Sequence, residues 1–175
     1  MLPELFSAAV TEGVAHMAQS IGPGLRRAWR SLNALPAGRR LFSGLLGRYV
    51  PYTGTIGATV DVLEPGHCVV MLRERRRVRN HLDSIHAMAL ANLGEMTTGL
   101  ALMNSLPEKA RGILKRFDID YIKKARGQLT AECYCEIPGS NEERGIDVAC
   151  DIRDRSGEVV SHVVAHWLVG PERDS

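Results

Sequence analysis

The sequence has no excess of charge of either sign. Its 22 Lys and Arg against 20 Asp and Glu leave a formal net charge of +2, too small on its own to point to nucleic acid. It has no apolar run long enough to span a bilayer. It also lacks the basic start, apolar stretch and small-residue cleavage site of a secretory signal. The expectation is a cytoplasmic protein without a transmembrane segment. Cysteine is sparse, at Cys68, Cys133, Cys135 and Cys150, with no Cys-x-x-Cys pair. Cys133 and Cys135 are two apart on a strand, so they point the same way and cannot easily bridge each other. Buried thiols in a reducing compartment are expected. No phosphate-cradling glycine loop occurs. His81, Asp83 and His86 fit no standard zinc spacing, and Ser84 is in no nucleophile elbow.

What is present divides into two textures. The first fifty residues read as helices: Leu5, Ala8, Ala9 and Glu12 open one, and Ile21-Gly22-Pro23-Gly24 breaks it. Leu25, Ala28, Trp29 and Leu32 make a second at helical spacing, and Leu41, Phe42, Leu45 and Leu46 a third. This region holds six arginines (Arg26, Arg27, Arg30, Arg39, Arg40, Arg48) against two glutamates, Glu4 and Glu12. Two arrangements suit it: packing on its own domain with arginines outward, or peripheral contact with a membrane surface or acidic partner.

From about Thr55 the pattern is β. Ile56, Ala58, Val60 and Val62 alternate, Pro65-Gly66 turns, and Cys68, Val70 and Leu72 alternate again, a hairpin. Phe117, Ile119 and Tyr121 form a third strand. Leu129, Ala131, Cys133, Cys135 and Ile137 share one apolar face of a fourth. Ile146, Val148, Cys150 and Ile152 form a fifth. The run from Val159 to Val169 is apolar on both faces, as a central strand is. Between the second and third strands a helix from about His86 to Asn104 is expected. It is rich in small residues: Ala87, Ala89, Ala91, Gly94, Gly99 and Ala101. Each interior glycine costs about 1 kcal/mol relative to alanine, and close approach of sheet backbone would offset that.

The residues in this order resemble the hotdog-fold acyl-CoA thioesterases of the phenylacetyl-CoA and 4-hydroxybenzoyl-CoA type, over roughly residues 55–170. Asn80-His81-Leu82-Asp83-Ser84-Ile85-His86-Ala87 resembles that superfamily's Asn or Gln, loop, then His-Gly-Gly. Glu95 follows His86 by nine residues, the spacing from the superfamily's histidine to its catalytic carboxylate. Asp120-Tyr121-Ile122-Lys123-Lys124-Ala125-Arg126-Gly127 resembles its Tyr-Leu-Lys/Arg-Pro-Ala-Arg-x-Gly strand end. Ala87-Met88 stands where Gly-Gly is usual, and Gly99, beside Thr98, where Ser or Thr is frequent. The resemblance implies an α+β hotdog fold: a curved antiparallel six-stranded sheet, order 1-2-4-5-6-3, wrapped around one long helix. Together with the helical texture of the first fifty residues, which the superfamily pattern does not match, this divides the chain into an N-terminal helical extension, 1–50, and a hotdog domain, 51–175.

The resemblance also implies a chemistry, the hydrolysis of an acyl-CoA or related thioester. Glu95 would attack or activate water, and the Ala87 N–H would hold the oxyanion at the helix N-terminus. Asn80 would position the carbonyl or the water, and His86 would orient the loop or reach the thioester. Met88, Thr98 and Gly99 would line the substrate site. Lys123, Lys124 and Arg126 would meet the phosphates of coenzyme A, which enters only as part of the substrate; no separate cofactor or metal is implied. Each site would be shared across a homodimer, alone or paired with a second into a tetramer, with no nucleic-acid partner. Plainer roles stand beside these: a solvated helix glutamate, a loop cap at Asn80, a helix cap at His86, an exposed strand edge at Lys123 and Lys124. Arg73, Arg75, Arg76, Arg77 and Arg79 read as a solvated strand end that could also contribute to nucleotide binding. His162 and His166 share a face of the last strand and read as core or groove histidines. Two further functions suit the scaffold: a non-catalytic acyl-CoA or fatty-acyl binding protein, and a hotdog dehydratase, whose hydratase motif is not matched here.

Overall fold

Period-two patterning and a helix of small residues together set the architecture. The computed structural model describes residues 20–172; the helix expected from Leu5 to Glu12 lies outside the described residues. Among the described residues three helices come first: α1 (Gly22–Asn33), α2 (Gly38–Tyr49) and the single turn α3 (Pro51–Gly54). Then follow β1 (Thr59–Glu64), β2 (His67–Arg73), α4 (Ala87–Ser105), β3 (Ala110–Tyr121), β4 (Gln128–Tyr134), β5 (Arg144–Arg153) and β6 (Val159–Pro171). The six strands form one sheet in the order β1-β2-β4-β5-β6-β3. Every neighbouring pair is antiparallel. This is the hotdog arrangement, with α4 lying against the sheet's apolar face.

One row of side chains shows how the sheet meets the helix. Leu63, Cys68, Cys133, Cys150, Val163 and Ile119 are successive cross-strand partners from one edge to the other. Cys68, Cys133, Cys150 and Val163 in that row are fully buried. Above it, the Cys133 thiol donates to the Thr97 carbonyl of α4 (3.4 Å). A Cβ on Gly94 would come within 2.7 Å of the Val163 side chain. Here is the reason for a glycine that weakens the helix by itself: any larger residue would push α4 off β6. Gly99 is a milder case, facing the Trp167 ring.

The N-terminal helices pack on this same body. Trp29, Leu32 and Phe42 belong to the buried core, and Trp29 meets Phe42 edge to face at 5.0 Å. α2 also closes an edge of the sheet. The Ser43 hydroxyl accepts from the Val60 N–H (2.9 Å) and donates to the Arg39 carbonyl (2.7 Å), while Arg39 pairs with Asp61. An outward-facing strand N–H that would invite another chain is thereby satisfied. Among the described residues, the outer edge of the twelve-residue β3 has no such cover.

Several local features differ from the expectations. Gly22-Pro23 starts α1 rather than merely breaking a helix, because Pro suits a helix's first turn. α3 was not foreseen. β3 begins seven residues before Phe117, and a register shift between Leu114 and Arg116 interrupts its alternation. β4 ends at Tyr134, so Cys135 is only half-buried and Ile137 is exposed, outside the apolar face. β6 is buried on one face; its other face, with His162, Val164, His166 and Leu168, is half-exposed.

Candidate active site

α4 is buried over most of its circumference, but Met88, Ala91 and Glu95 form a stripe that reaches the surface. Glu95 is partly buried, and among the described residues its carboxylate accepts no hydrogen bond and faces no cation. Burial alone pushes its pKa above the ordinary carboxylate range. Its Oε1 lies 3.9 Å from where a Gly99 Cβ would stand, in a notch bounded on the other side by the Trp167 ring. Trp167 is 6 % exposed, and its indole N–H has no acceptor among the described residues.

The helix N-terminus is built by a tightly tied loop. The Asn80 side-chain oxygen accepts from the Leu82 N–H (2.9 Å), the Ser84 N–H (3.3 Å) and the Ser84 hydroxyl (3.2 Å). Its carbonyl is therefore committed to the loop, and only its amide nitrogen remains to point elsewhere. Asp83 takes a positive φ of 52°. Its carbonyl accepts from Arg126 Nε (3.0 Å). Ile85 and His86 donate their N–H groups to Ala125 and Val78 (2.8 Å each). Glu74 joins the loop to the start of β4 through Arg79 and the Gly127 N–H, each at 2.5 Å. The Gly127 N–H, then Arg79, hold the Glu74 carboxyl below its ordinary range.

His86 caps α4: its Nδ1 accepts from the Met88 N–H at 3.0 Å. That bond fixes Nδ1 as the unprotonated nitrogen and takes one of the free donors of the first turn. The Ala87 N–H, at the first helical position, keeps no acceptor among the described residues. Tyr121, at the end of β3, donates its hydroxyl to the Ala87 carbonyl (3.2 Å). Burial raises the pKa of Tyr121. The sequence places Tyr121 in a motif, but nothing in its spacing says that it touches the helix start.

The remaining candidates are placed as follows. Met88 is exposed on the Glu95 stripe. Thr98 is fully buried, its hydroxyl turned back to the Gly94 and Glu95 carbonyls (3.0 Å each). Lys123 is held by Asp154 (2.7 Å) and by Glu158. These two carboxylates raise its pKa, Asp154 first. Its charge is thus already matched within the chain. Lys124 is exposed. His162 pairs with Asp151 (2.8 Å), and His166 with Asp147 (2.7 Å) and Asp118 (2.9 Å), on the sheet face away from α4. Among the described residues no group of three or more His, Cys, Asp or Glu is arranged to hold a metal ion, and no helix is long and apolar enough to cross a membrane.

Comparison with known proteins adds the following. No curated protein matches the chain. Among solved structures, a structural-genomics protein, APC5556, superposes with a TM-score of 0.72 at 24% identity, over 84% of this chain and 98% of that one. PA5026 from Pseudomonas aeruginosa, described as a probable thioesterase, gives 0.68 at 21% over 78% and 97%. SAV0944 from Staphylococcus aureus subsp. aureus Mu50, a variant described as a thioesterase enzyme, gives 0.62 at 18% over 69% and 99%. At these identities the likeness speaks for the fold. The model of a domain of unknown function, DUF4442, matches residues 38–169, from the start of α2 almost to the end of β6. The chain therefore belongs to the DUF4442 family, carried on a hotdog fold.

Proposed function

We propose that the protein hydrolyses an acyl thioester, with an acyl-CoA as the substrate class, through Glu95. One observation carries the reading: among the described residues, α4 holds a partly buried carboxylate with no partner, on the same helix as an unused N–H at Ala87. Thioester hydrolysis needs both elements, a carboxylate to attack or to activate water and a donor at the developing oxyanion. Proteins of this fold described as thioesterases support it.

The geometry of one helix asks for a second copy. Eight residues separate Ala87 from Glu95, which is about 12 Å at 1.5 Å per residue. A single carbonyl cannot touch both. Two α4 helices packed antiparallel about a two-fold axis near Ala91 would bring each Glu95 opposite the other copy's Ala87. Ala91, between them on the surface stripe, is small enough to allow that approach. The uncovered edge of β3 would pair with its counterpart in the same dimer. In this arrangement the substrate's acyl group would lie toward the Gly99 notch, and Met88 at its mouth.

Purified protein assayed against a panel of acyl-CoAs tests the reading. Glu95→Gln is expected to remove turnover while leaving acyl-CoA binding in place. Turnover that survives the substitution sinks the assignment; binding with no turnover by the wild type favours a carrier of acyl-CoA instead. Because burial raises the Glu95 pKa, the folded state binds more protons than the unfolded chain just above the ordinary carboxylate range. Its contribution to stability therefore falls as pH rises through that window. Glu95→Gln should melt a few degrees above the wild type at pH 7, and the difference should shrink in acid.

A further inference from the structure

We propose that the cavity between α2, α3 and the start of β1 is a binding site for a phosphate-ester anion. It has a volume of about 350 Å³, within the roughly 300–1,000 Å³ of small-molecule sites. Its wall on α2 is one helical stripe, Arg40, Ser43, Gly44, Gly47 and Arg48, which sets two arginines at the ends of a strip that holds only small residues between them. Gly47 and Gly54 make backbone contact: a Cβ on Gly54 would fall 2.3 Å from the Gly47 carbonyl oxygen. That contact folds α3 beneath α2 and gives the cavity its second wall. Ala58 and Met96 are buried residues of the lining, and Met96 is the residue after Glu95 on α4.

Charge decides what fits. The sequence has no Asp or Glu from Gly13 to Val60. The first acid, Asp61, is taken by Arg39. Arg40 and Arg48 form no ion pair among the described residues. A second pair of arginines converges on Gly57, which lines the same cavity. Arg75 donates to the Gly57 carbonyl (2.6 Å), and a Cβ there would sit 2.1 Å from the Arg77 guanidinium and 3.2 Å from that of Arg75. Neither Arg75 nor Arg77 meets a carboxylate among the described residues. Arg40 and Arg48 in the lining, with Arg75 and Arg77 against Gly57, concentrate positive charge that an anion would offset. Their forked donors match phosphoryl oxygens two at a time. Thr53 and Thr59 add hydroxyl donors to the lining. The inference stands apart from the thioesterase reading. The nucleotide of a coenzyme A ester is one source of such a group, and a free phosphoanion is another.

Calorimetric titration of the full chain tests the site. The probes are adenosine 3′,5′-bisphosphate, inorganic pyrophosphate, uncharged adenosine, coenzyme A and dephospho-coenzyme A. The bisphosphate is expected to bind and adenosine not to. Arg40→Ala with Arg48→Ala should weaken the bisphosphate at least tenfold. Gly44→Glu, whose Cβ meets open space, should do the same by placing a carboxylate between the arginines. Arg27→Ala with Arg30→Ala, on α1, should change affinity less than twofold, which separates a built site from general basic charge. Coenzyme A binding more tightly than dephospho-coenzyme A identifies the nucleotide as the source. Pyrophosphate equalling the bisphosphate identifies a free phosphoanion. The proposal is overturned if neither phosphate probe binds, or if both α2 variants bind as the wild type does with melting curves unchanged. Turnover lost in Glu95→Gln while the α2 variants keep wild-type affinity would leave the hydrolase reading standing and remove this one.

Discussion

Arg26 of α1 donates through Nη1 to the carbonyl of Asn104 at 2.8 Å, and the same nitrogen reaches the Leu106 carbonyl at 3.1 Å. These are carbonyls that the last turn of α4 leaves without an intrahelical partner, at the negative end of its dipole. An N-terminal helix thus closes the end of the helix that carries the candidate site. Hydrogen bonds from a charged donor contribute about 1.5–3 kcal/mol. Arg26→Ala should lower stability by that amount in urea unfolding, with the denaturant slope unchanged. Arg26→Lys should recover only part of it.

The Ala87 N–H can be deleted without removing a side chain. Proline is tolerated at a helix's first position, where its missing N–H breaks no internal bond. His86, the preceding residue, already has φ −64° and ψ 140°, the extended backbone that proline requires before it. Ala87→Pro should leave the melting temperature within a few degrees. If the N–H holds an oxyanion, kcat should fall about 10²–10³-fold with KM little changed. Unchanged kcat in the folded variant would exclude the role.

Ala91 sits at the centre of the surface stripe of α4, where the proposed two-fold axis passes. Ala91→Arg puts a long charged side chain and its own copy against each other. Light scattering should show the wild type as a dimer and the variant shifted to monomer. Turnover should fall with the dimer fraction. A wild type that is monomeric at assay concentrations would remove the shared site.

His166 uses both ring nitrogens, one on Asp118 and one on Asp147, from the strands on either side of β6. Asp118 first, then Asp147, raise its pKa above the ordinary imidazole range. A histidine stabilised in its charged form contributes its full share below its unfolded pKa and loses it as pH rises through the raised folded value. Stability should decline over that interval, and His166→Gln should flatten the decline. A ring-proton NMR titration of His166 checks the direction independently.

Much of this fold was legible because its strands obey simple patterning. Ile146, Val148, Cys150 and Ile152 alternate, and all four are buried. The long helix lies one residue from its expected ends, with His86 as its cap. β3 was read only in its second half. The register shift at Leu114 and Arg116 breaks the two-residue period that a sequence reader follows, and Arg111, Lys115 and Arg116 conceal an edge strand behind charge. At the candidate site, Glu95 could be picked out by its spacing from His86. Its lack of a partner among the described residues could not, because that depends on how the sheet packs on α4, with Trp167 of the distant β6 set against Gly99 one turn along the helix. Lys123 looked free in sequence; Asp154 and Glu158, more than thirty residues later, are what hold it.

The cysteine row across the middle of the sheet gives the protein an internal clock. Burial raises the pKa of Cys68 well above the ordinary thiol range, and a hydrogen bond with Cys150, then burial, does the same for Cys133. Cys135, half-buried at the end of β4, is pushed up to about 11. Thiol-directed reagents need a reactive thiolate and physical access. Closed molecules should therefore be labelled first at Cys135, as the end of β4 frays. Modification of Cys68, Cys133 and Cys150 should wait until β2, β4 and β5 part from α4. Labelling rates resolved by mass spectrometry would then time the separation of the sheet from its central helix, strand by strand, with no probe added.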